Sequence, residues 1–184
     1  RDGQATVSLD LSGDSLHRRG YREATVIAPL KETLAAALLL KSGWPEMAAA
    51  GGPLLDPLCG SGTLAIEAAW IVGDHAPGLL REHWGFSGWL GHVPALWKRL
   101  LAEAQERRTL GKPRIPLIIA SDHDPKAVRA ALTNARRAGV ADRIHIERRE
   151  FSALQPPLGA LGLLIANPPY GERLGTAEEL AGVY

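Results

Sequence analysis

The sequence holds one cysteine and one methionine in 184 residues, only two phenylalanines, and a net charge of just +1. A single cysteine excludes a disulfide framework and any zinc site built from several thiolates. It fits a reducing compartment. The near-neutral balance lacks the basic surplus that marks most nucleic-acid binders, so affinity for a polyanion would have to come from a local patch or from sequence outside this chain. No apolar run is long enough to cross a bilayer, and the longest, residues 34–40, suits a core helix. No signal-peptide pattern, internal repeat or low-complexity tract is found. What is present is 46% hydrophobic and 22% charged residues, the balance of one globular domain. The expectation is a cytoplasmic protein without membrane association.

Periodicity and turn chemistry set the organisation. Residues 5–11 alternate as a strand does, residues 12–15 are turn chemistry, and with residues 16–22 they predict a hairpin. Pro29 opens a helix predicted to end near Gly43, and residues 48–53 read as a glycine-rich loop. A strand at 54–56 and a helix at 63–72 follow. An insert rich in Trp, Gly and Pro spans residues 73–116, with one helix at 94–110. Then come a strand at 117–120, a helix at 125–138, strands at 144–148 and 161–166, and the start of a helix at 177–184. Strands alternating with helices predict an α/β fold built on a doubly wound parallel sheet.

Three motifs sit where these strands end. After the apolar run 161–166 come Asn167-Pro168-Pro169-Tyr170. Proline cannot continue a ladder, so the strand stops. Two consecutive prolines fix the backbone, which holds the Asn167 amide and the Pro168 carbonyl as a rigid pair of acceptors. Tyr170 adds a flat face beside them. Together they suit a planar group carrying an NH2, stacked as unstacked bases stack on aromatic rings. Asp56-Pro57-Leu58-Cys59-Gly60-Ser61-Gly62-Thr63 joins the strand 54–56 to a helix. Gly60 and Gly62 let the backbone approach a ligand closely, and Asp56 can accept from an ammonium group. The pattern Gly60-x-Gly62-x-x-Ala65 also satisfies a dinucleotide fingerprint, and a plain strand-to-helix turn would look the same. The strand 117–120 ends in Ser121-Asp122-His123-Asp124-Pro125. Asp124 and Pro125 open a helix as N-cap and N1. Asp122 is left at the strand tip, placed to bind both hydroxyls of a ribose or to serve as a turn residue.

Taken in order, these motifs resemble class I S-adenosylmethionine-dependent methyltransferases. Residues 56–63 look like motif I, Asp122 matches the acidic end of the second strand, and residues 167–170 look like the N-P-P-Y motif of enzymes that methylate exocyclic or amide nitrogens. Flanking stretches are similar to a narrower group, the bacterial 23S rRNA guanine-N2 methyltransferases that carry a THUMP RNA-binding domain. These stretches are Arg18-Arg19-Gly20-Tyr21-Arg22, Ala28-Pro29-Leu30-Lys31-Glu32, residues 76–81, residues 83–86 and Gly171-Glu172-Arg173-Leu174. The resemblance implies a Rossmann-like fold, S-adenosylmethionine as cofactor and an rRNA guanine as substrate. It implies cofactor contacts at Asp56, Cys59, Gly60, Gly62, Asp122, His123, Glu150, Phe151 and Asn167, with Asn167, Pro168, Pro169 and Tyr170 at the reacting amine. No metal is implied. It divides the chain into residues 1–28, a linker from an upstream RNA-binding domain, and residues 29–184, a catalytic domain lacking its last strands. The strand 161–166 would then present an unpaired edge.

Other candidates carry ordinary alternatives. Glu150 could accept from an adenine amine and Phe151 pack on its ring, or they are a solvated Glu and a core Phe. Lys31 and Glu32 lie over the cofactor's methionine end in the resembling family, and the plainer expectation is surface charge at a helix start. Cys59 is expected to be a small filler, since no His stands by to activate it. Trp84, Trp89 and Trp97 suit a small satellite core better than base stacking. Arg136, Arg137, Arg143, Arg148 and Arg149 could form a phosphate patch or simply occupy surface. Three other functions stay open: methylation of a tRNA guanine, DNA adenine or protein glutamine, a nucleotide-dependent oxidoreductase, and a non-catalytic RNA-binding module.

Overall fold

Short runs rich in Leu and Ile, bounded by glycine and proline, form a parallel sheet. The computed structural model describes residues 3, 5–24, 29–155 and 161–168. Its strands are β1 (Leu54–Asp56), β2 (Ile118–Asp122), β3 (Ile144–Arg148) and β4 (Leu163–Leu164). All pair in parallel, in the order β3-β2-β1-β4. Five α-helices accompany them among the described residues: α1 (Glu32–Lys41), α2 (Trp44–Ala49), α3 (Thr63–Val72), α4 (Pro94–Gly111) and α5 (Pro125–Arg137). The α/β class and parallel sheet expected from the alternation are therefore present.

The connections fix the layers. The chain moves from β1 to β2 to β3 in one direction across the sheet, so right-handed crossovers put α3 and α5 on the same face. Their close approach agrees: a Cβ added at Gly62, which precedes α3, would lie 3.1 Å from the Ala131 Cβ of α5. Small residues make that contact possible, since Ala127, Ala130, Ala131 and Ala135 line the buried face of α5. Beyond α3 the core continues through Tyr21, Leu39 and Trp44, none of them exposed. The buried indoles keep their N–H groups bonded, Trp44 to the Ala68 carbonyl at 3.0 Å and Trp70 to the Ala138 carbonyl at 3.1 Å, as buried donors require.

Three expectations are corrected. No hairpin forms at residues 5–22, which contain no strand. Val7 is 94% exposed and Leu9 68%, so the alternation finds no partner surface to bury against. The segment is held instead by Arg81, whose guanidinium donates to the carbonyls of Ser12, Asp14 and Ser15. The first helix begins at Glu32, not Pro29, because the Leu30 carbonyl is taken by Arg22 and the first helical acceptor is Lys31. And part of the loop expected at 48–53 belongs to α2. Gly43, at φ +73°, breaks the helix, but Pro45 restarts it and the buried Trp44 anchors it.

β4 is shorter than the expected 161–166 because its partner β1 has only three residues. The Leu163 amide bonds to the Pro53 carbonyl and the Ile165 amide to the Leu55 carbonyl, at 2.9 and 3.0 Å. Among the described residues β4 is an edge, with Leu164 half-exposed. In the insert, α4 fills the expected span and is followed by a 3-10 turn, Lys112–Arg114. Trp84, Phe86 and Trp97 pack with ring centroids 4.9–5.7 Å apart, with the Arg81 guanidinium 4.6 Å over Trp84. That is the satellite core expected for Trp84 and Trp97, while Trp89 stays outside it. No helix of the described residues is long and apolar enough to cross a membrane.

Candidate active site

Parallel pairing brings the motif residues to one edge of the sheet. Asp56 ends β1 level with Ala120 of β2, and Asp122 stands two residues further along β2, level with Arg148 of β3. Glu150 lies two residues past Arg148. On the other side, Asn167 lies two residues past Ile165, whose amide is held by Leu55. All four thus occupy the carboxyl ends of parallel strands. The strand order also reverses at β1, with β2 on one side and β4 on the other. Open α/β sheets bind ligands at such a switch point.

The loop from β1 into α3 follows from its glycines and its clamps. Gly60 has φ +52° and Gly62 φ +83°, backbone that L side chains rarely adopt. The Cys59 amide donates to the Ser121 carbonyl at 2.9 Å, tying the loop to the tip of β2. The Gly60 amide donates to Asp122 Oδ2 at 3.0 Å, and the Asp124 amide to Asp122 Oδ1 at 2.9 Å. Asp122 therefore fills the turn role that the sequence offered as its alternative, by accepting from the Asp124 amide, and adds one that the sequence did not suggest, a tie to the glycine loop through the Gly60 amide. Asp124 caps α5 as expected, accepting from the Lys126 amide at 2.8 Å.

Asp56 is the unusual group. It is 1% exposed, and neither carboxylate oxygen has a hydrogen-bond partner among the described residues. Burial pushes its pKa up to about 8. The Leu58 amide, short of hydrogen-bond geometry, opposes this, and the Asp122 carboxylate adds to it. A buried carboxylate without a partner is costly. It is stable in its charged form only when a cation or several donors reach it. Cys59 beside it is buried, and burial pushes its thiol pKa up, with Asp56 and Asp122 adding to the effect. A thiol so disfavoured as thiolate is no nucleophile, which agrees with a filler role.

The remaining candidates divide. His123 is exposed; its Nδ1 lies 3.4 Å from Asp122 Oδ1 and its carbonyl accepts from Arg148. Phe151 is 42% exposed at the end of β3, so it is not the core residue its type suggested. Glu150 is exposed beside it. Asn167 and Pro168 are half-buried beyond β4. Pro169 and Tyr170 lie outside the described residues, as do the expected helix at 177–184 and Gly171-Glu172-Arg173-Leu174. Glu32 is no surface charge: it is buried and ion-paired with Arg22 at 2.8 Å, while Lys31 is exposed. The arginines do not gather into one free patch. Arg137 pairs with Glu23, Arg143 bonds to the Lys112 carbonyl, and Arg149 pairs with Glu147. No cluster of metal-ligating side chains occurs among the described residues.

Two residues at this site were assigned no role there by the motif reading. Arg22 donates to Ser61 Oγ and Thr63 Oγ1 at 2.8 and 2.9 Å. Asn134 of α5, fully buried, accepts from the Glu23 and Ala24 amides and donates to the Ala24 and Ser61 carbonyls at 2.9–3.1 Å. A signal for Asn134 was present: one amide side chain within the periodic alanine face of α5 has to be satisfied by something.

Comparison with known proteins gives a consistent result. A family model described as RMKL-like, methyltransferase domain, matches residues 19–184. The ribosomal RNA large subunit methyltransferase K/L of Syntrophotalea carbinolica is 58% identical over 184 residues, covering 98% of this chain and 26% of that protein. The protein of the same name from Pseudomonas aeruginosa is 55% identical, covering 99% of this chain and 26% of its own length. The chain thus spans about a quarter of the curated relatives it matches. Among solved structures, a methyltransferase complexed with S-adenosylhomocysteine superposes with a TM-score of 0.80 at 37% identity, over 92% of this chain and 42% of that one. A Listeria monocytogenes protein named as an N6-adenine-specific DNA methylase gives 0.81 at 37% identity, over 94% and 43%.

Proposed function

The chain belongs to the RMKL-like methyltransferase-domain family, and from that membership we propose that it transfers methyl from S-adenosylmethionine to the exocyclic N2 amine of a guanine in large-subunit rRNA. The observation that carries the cofactor reading is Asp56. A buried carboxylate with both oxygens unpartnered, beside a glycine loop at a strand-order switch point, fits a ligand that brings its own ammonium group. The donor set suits the rest of the molecule. Asp56 takes the ammonium, Gly60 and Gly62 leave room for the amino-acid end, and Asp122 faces the ribose with the lone pairs its two amide contacts leave free. Glu150 and Phe151 serve the adenine. When bound, S-adenosylmethionine supplies an electrophilic methyl group.

The chain's own residues then have one task, orientation. The lone pair of guanine N2 is delocalised into the ring and makes a weak nucleophile. Asn167 and the Pro168 carbonyl accept the two N–H bonds of the amine, which fixes the remaining direction. The base stacks on Tyr170. Holding a weak nucleophile in one geometry is worth several powers of ten in rate, and acceptors on the N–H bonds stabilise the charge that develops there. The product amine is acidic enough to lose its proton to a neighbouring acceptor, so no strong general base is needed. We place the protein in the cytoplasm, with an upstream RNA-binding domain supplying affinity that a net charge of +1 does not. The Listeria neighbour's name favours one second reading, the same chemistry on an adenine N6 amine.

Radiolabelled methyl transfer to a panel of large-subunit rRNA, tRNA, DNA and protein substrates tests the proposal. Label in an rRNA guanine is expected. Asn167→Ala should abolish transfer and leave S-adenosylhomocysteine binding in place. Lost cofactor binding in a folded Asn167→Ala chain would refute the assignment of Asn167 to the amine.

A further inference from the structure

We propose that Arg22 is a positioning residue for the cofactor loop, acting as a staple between that loop and a strap formed by residues 19–24; the inference rests on the methyltransferase reading above. The loop needs an external hold. Two positive-φ glycines, Gly60 and Gly62, give it wide conformational choice. Its backbone ties run to the tip of β2, at Ser121 and Asp122. With the Gly62 amide on the Cys59 carbonyl at 2.8 Å and Asn134 Nδ2 on the Ser61 carbonyl at 3.0 Å, those contacts hold the loop backbone, but none reaches the hydroxyls of Ser61 and Thr63 at the turn into α3.

Arg22 completes the hold from the opposite side. Its Nη1 donates to Ser61 Oγ at 2.8 Å, and its Nη2 to Thr63 Oγ1 at 2.9 Å and to the Leu30 carbonyl at 3.0 Å. Its Nε donates to Glu32 Oε1 at 2.8 Å, in an ion pair whose two side chains are 16% and 5% exposed. One planar fork thus joins the strap, the first turn of α1, the glycine loop and the first residue of α3. Lysine offers a point charge on a flexible stem and cannot span these partners together.

The strap itself is anchored independently. Arg19 and the Tyr21 hydroxyl both donate to the buried Glu67 carboxylate, and the Tyr21 ring meets Trp70 edge-on at 5.0 Å. On the other side of Arg22, Asn134 holds the backbone of Glu23 and Ala24. The strap therefore stays seated without Arg22, and the contacts special to Arg22 are those to the loop hydroxyls. Those contacts have a second consequence. Ser61 and Thr63 flank Gly62, the N-cap of α3, and no side chain caps that helix. With both hydroxyls engaged by Arg22, the first-turn amides of α3 keep their free donors.

The test is calorimetric titration of the intact protein with S-adenosylhomocysteine, alongside thermal midpoints without ligand, for wild type, Arg22→Lys and Tyr21→Phe. Tyr21→Phe removes a strap contact that does not reach the loop. The expectation is that Arg22→Lys binds about tenfold or more weakly, from loss of charge-assisted bonds to the loop, while Tyr21→Phe lowers the midpoint and keeps wild-type affinity. Wild-type affinity in Arg22→Lys overturns the inference. So does loss of affinity in both variants in step with their midpoints, which would mean general destabilisation. If Arg22→Lys does not fold, Thr63→Val, which removes one of the two loop acceptors, carries the same expectation and the same refutation. Failure of the wild type to bind is a separate outcome: it overturns the methyltransferase reading and the inference with it.

Discussion

Asp56→Asn is the most informative perturbation of this site. The free protein keeps Asp56 protonated up to about pH 8, whereas an aspartate in the unfolded chain ionises near 3.8. Between those values the native chain binds a proton that the unfolded chain does not. Stability attributable to this group is therefore present at low pH and is lost as pH rises towards 8. The interval is roughly four pH units, and at about 1.4 kcal/mol per unit the loss is on the order of 5 kcal/mol. An ammonium group placed against the carboxylate reverses the preference, because it favours the charged form. Binding of S-adenosylhomocysteine at pH 7 should then expel about one proton. Calorimetry in buffers of different ionisation enthalpy reads that proton directly. Wild type should show it and Asp56→Asn should not, with affinity weaker by about ten- to a hundredfold for loss of a charge-assisted contact. Urea titrations at pH 5 and pH 8 give the companion result: the Asn variant, isosteric and uncharged, should gain relative to wild type as pH rises. A wild-type protein that binds without proton release, and matches Asp56→Asn in the pH dependence of its stability, would show that Asp56 is already charged in the free fold. The orphaned carboxylate would then explain nothing about the ligand.

Two further outcomes follow from buried polar groups elsewhere. Asn134→Ala removes the partner of two amides and two carbonyls around Ala24 and Ser61, and should cost about 3 kcal/mol or more; a wild-type urea midpoint would contradict the clamp. His75 stacks on Trp70 at 3.9 Å with its Nε2 unpartnered, and burial, helped by Arg108, pushes its pKa down to about 3 from 6.5. The native chain binds fewer protons there than the unfolded one, so its contribution is intact above pH 6.5 and falls as pH drops. Relative to His75→Phe, wild type should lose about 3 kcal/mol between pH 6.5 and 4; parallel stability curves for the two would refute the buried neutral imidazole.

Legibility in the sequence followed how local each signal was. Residues 54–56, 63–72 and 144–148 fold as their patterns predict, and the helices at 94–110 and 125–138 differ by one residue at one end. For the helices at 63–72 and 125–138 the apolar pattern coincides with a real buried face, whereas the helix at 94–110 forms although only Gly111 of it is buried. Residues 5–11 have the same alternation and no sheet to join, so period alone misled. The second helix was missed because Gly43 was read as an end, when Pro45 makes it a hinge between two helices. At the site, motif spacing located Asp56, Asp122 and Asn167 at one sheet edge. It missed that Asp122 is engaged by the Gly60 amide, which is remote in sequence, and that Glu32 is buried against Arg22, because neither contact follows from the local residue pattern.

That pattern bears on where the specificity of such a site resides. The glycine loop carries no information about its own shape beyond permitting positive φ. Its shape comes from Asp122 on β2, Asn134 on α5 and Arg22 on the strap, three side chains that converge on residues 60–63 from separate elements. Each is buried or partly so, and each bonds to backbone or hydroxyl groups of the loop rather than to one another. A loop fixed from three sides loses little conformational freedom when a ligand arrives, and that saving appears directly in affinity. On the proposed reading Asp56 works in the opposite sense, its oxygens without a partner among the described residues until a ligand's ammonium group reaches them. On the proposed function the site pairs a rigid cradle with one strained carboxylate, and the cradle would direct the relief of that strain into binding one cationic ligand instead of into rearrangement of the loop.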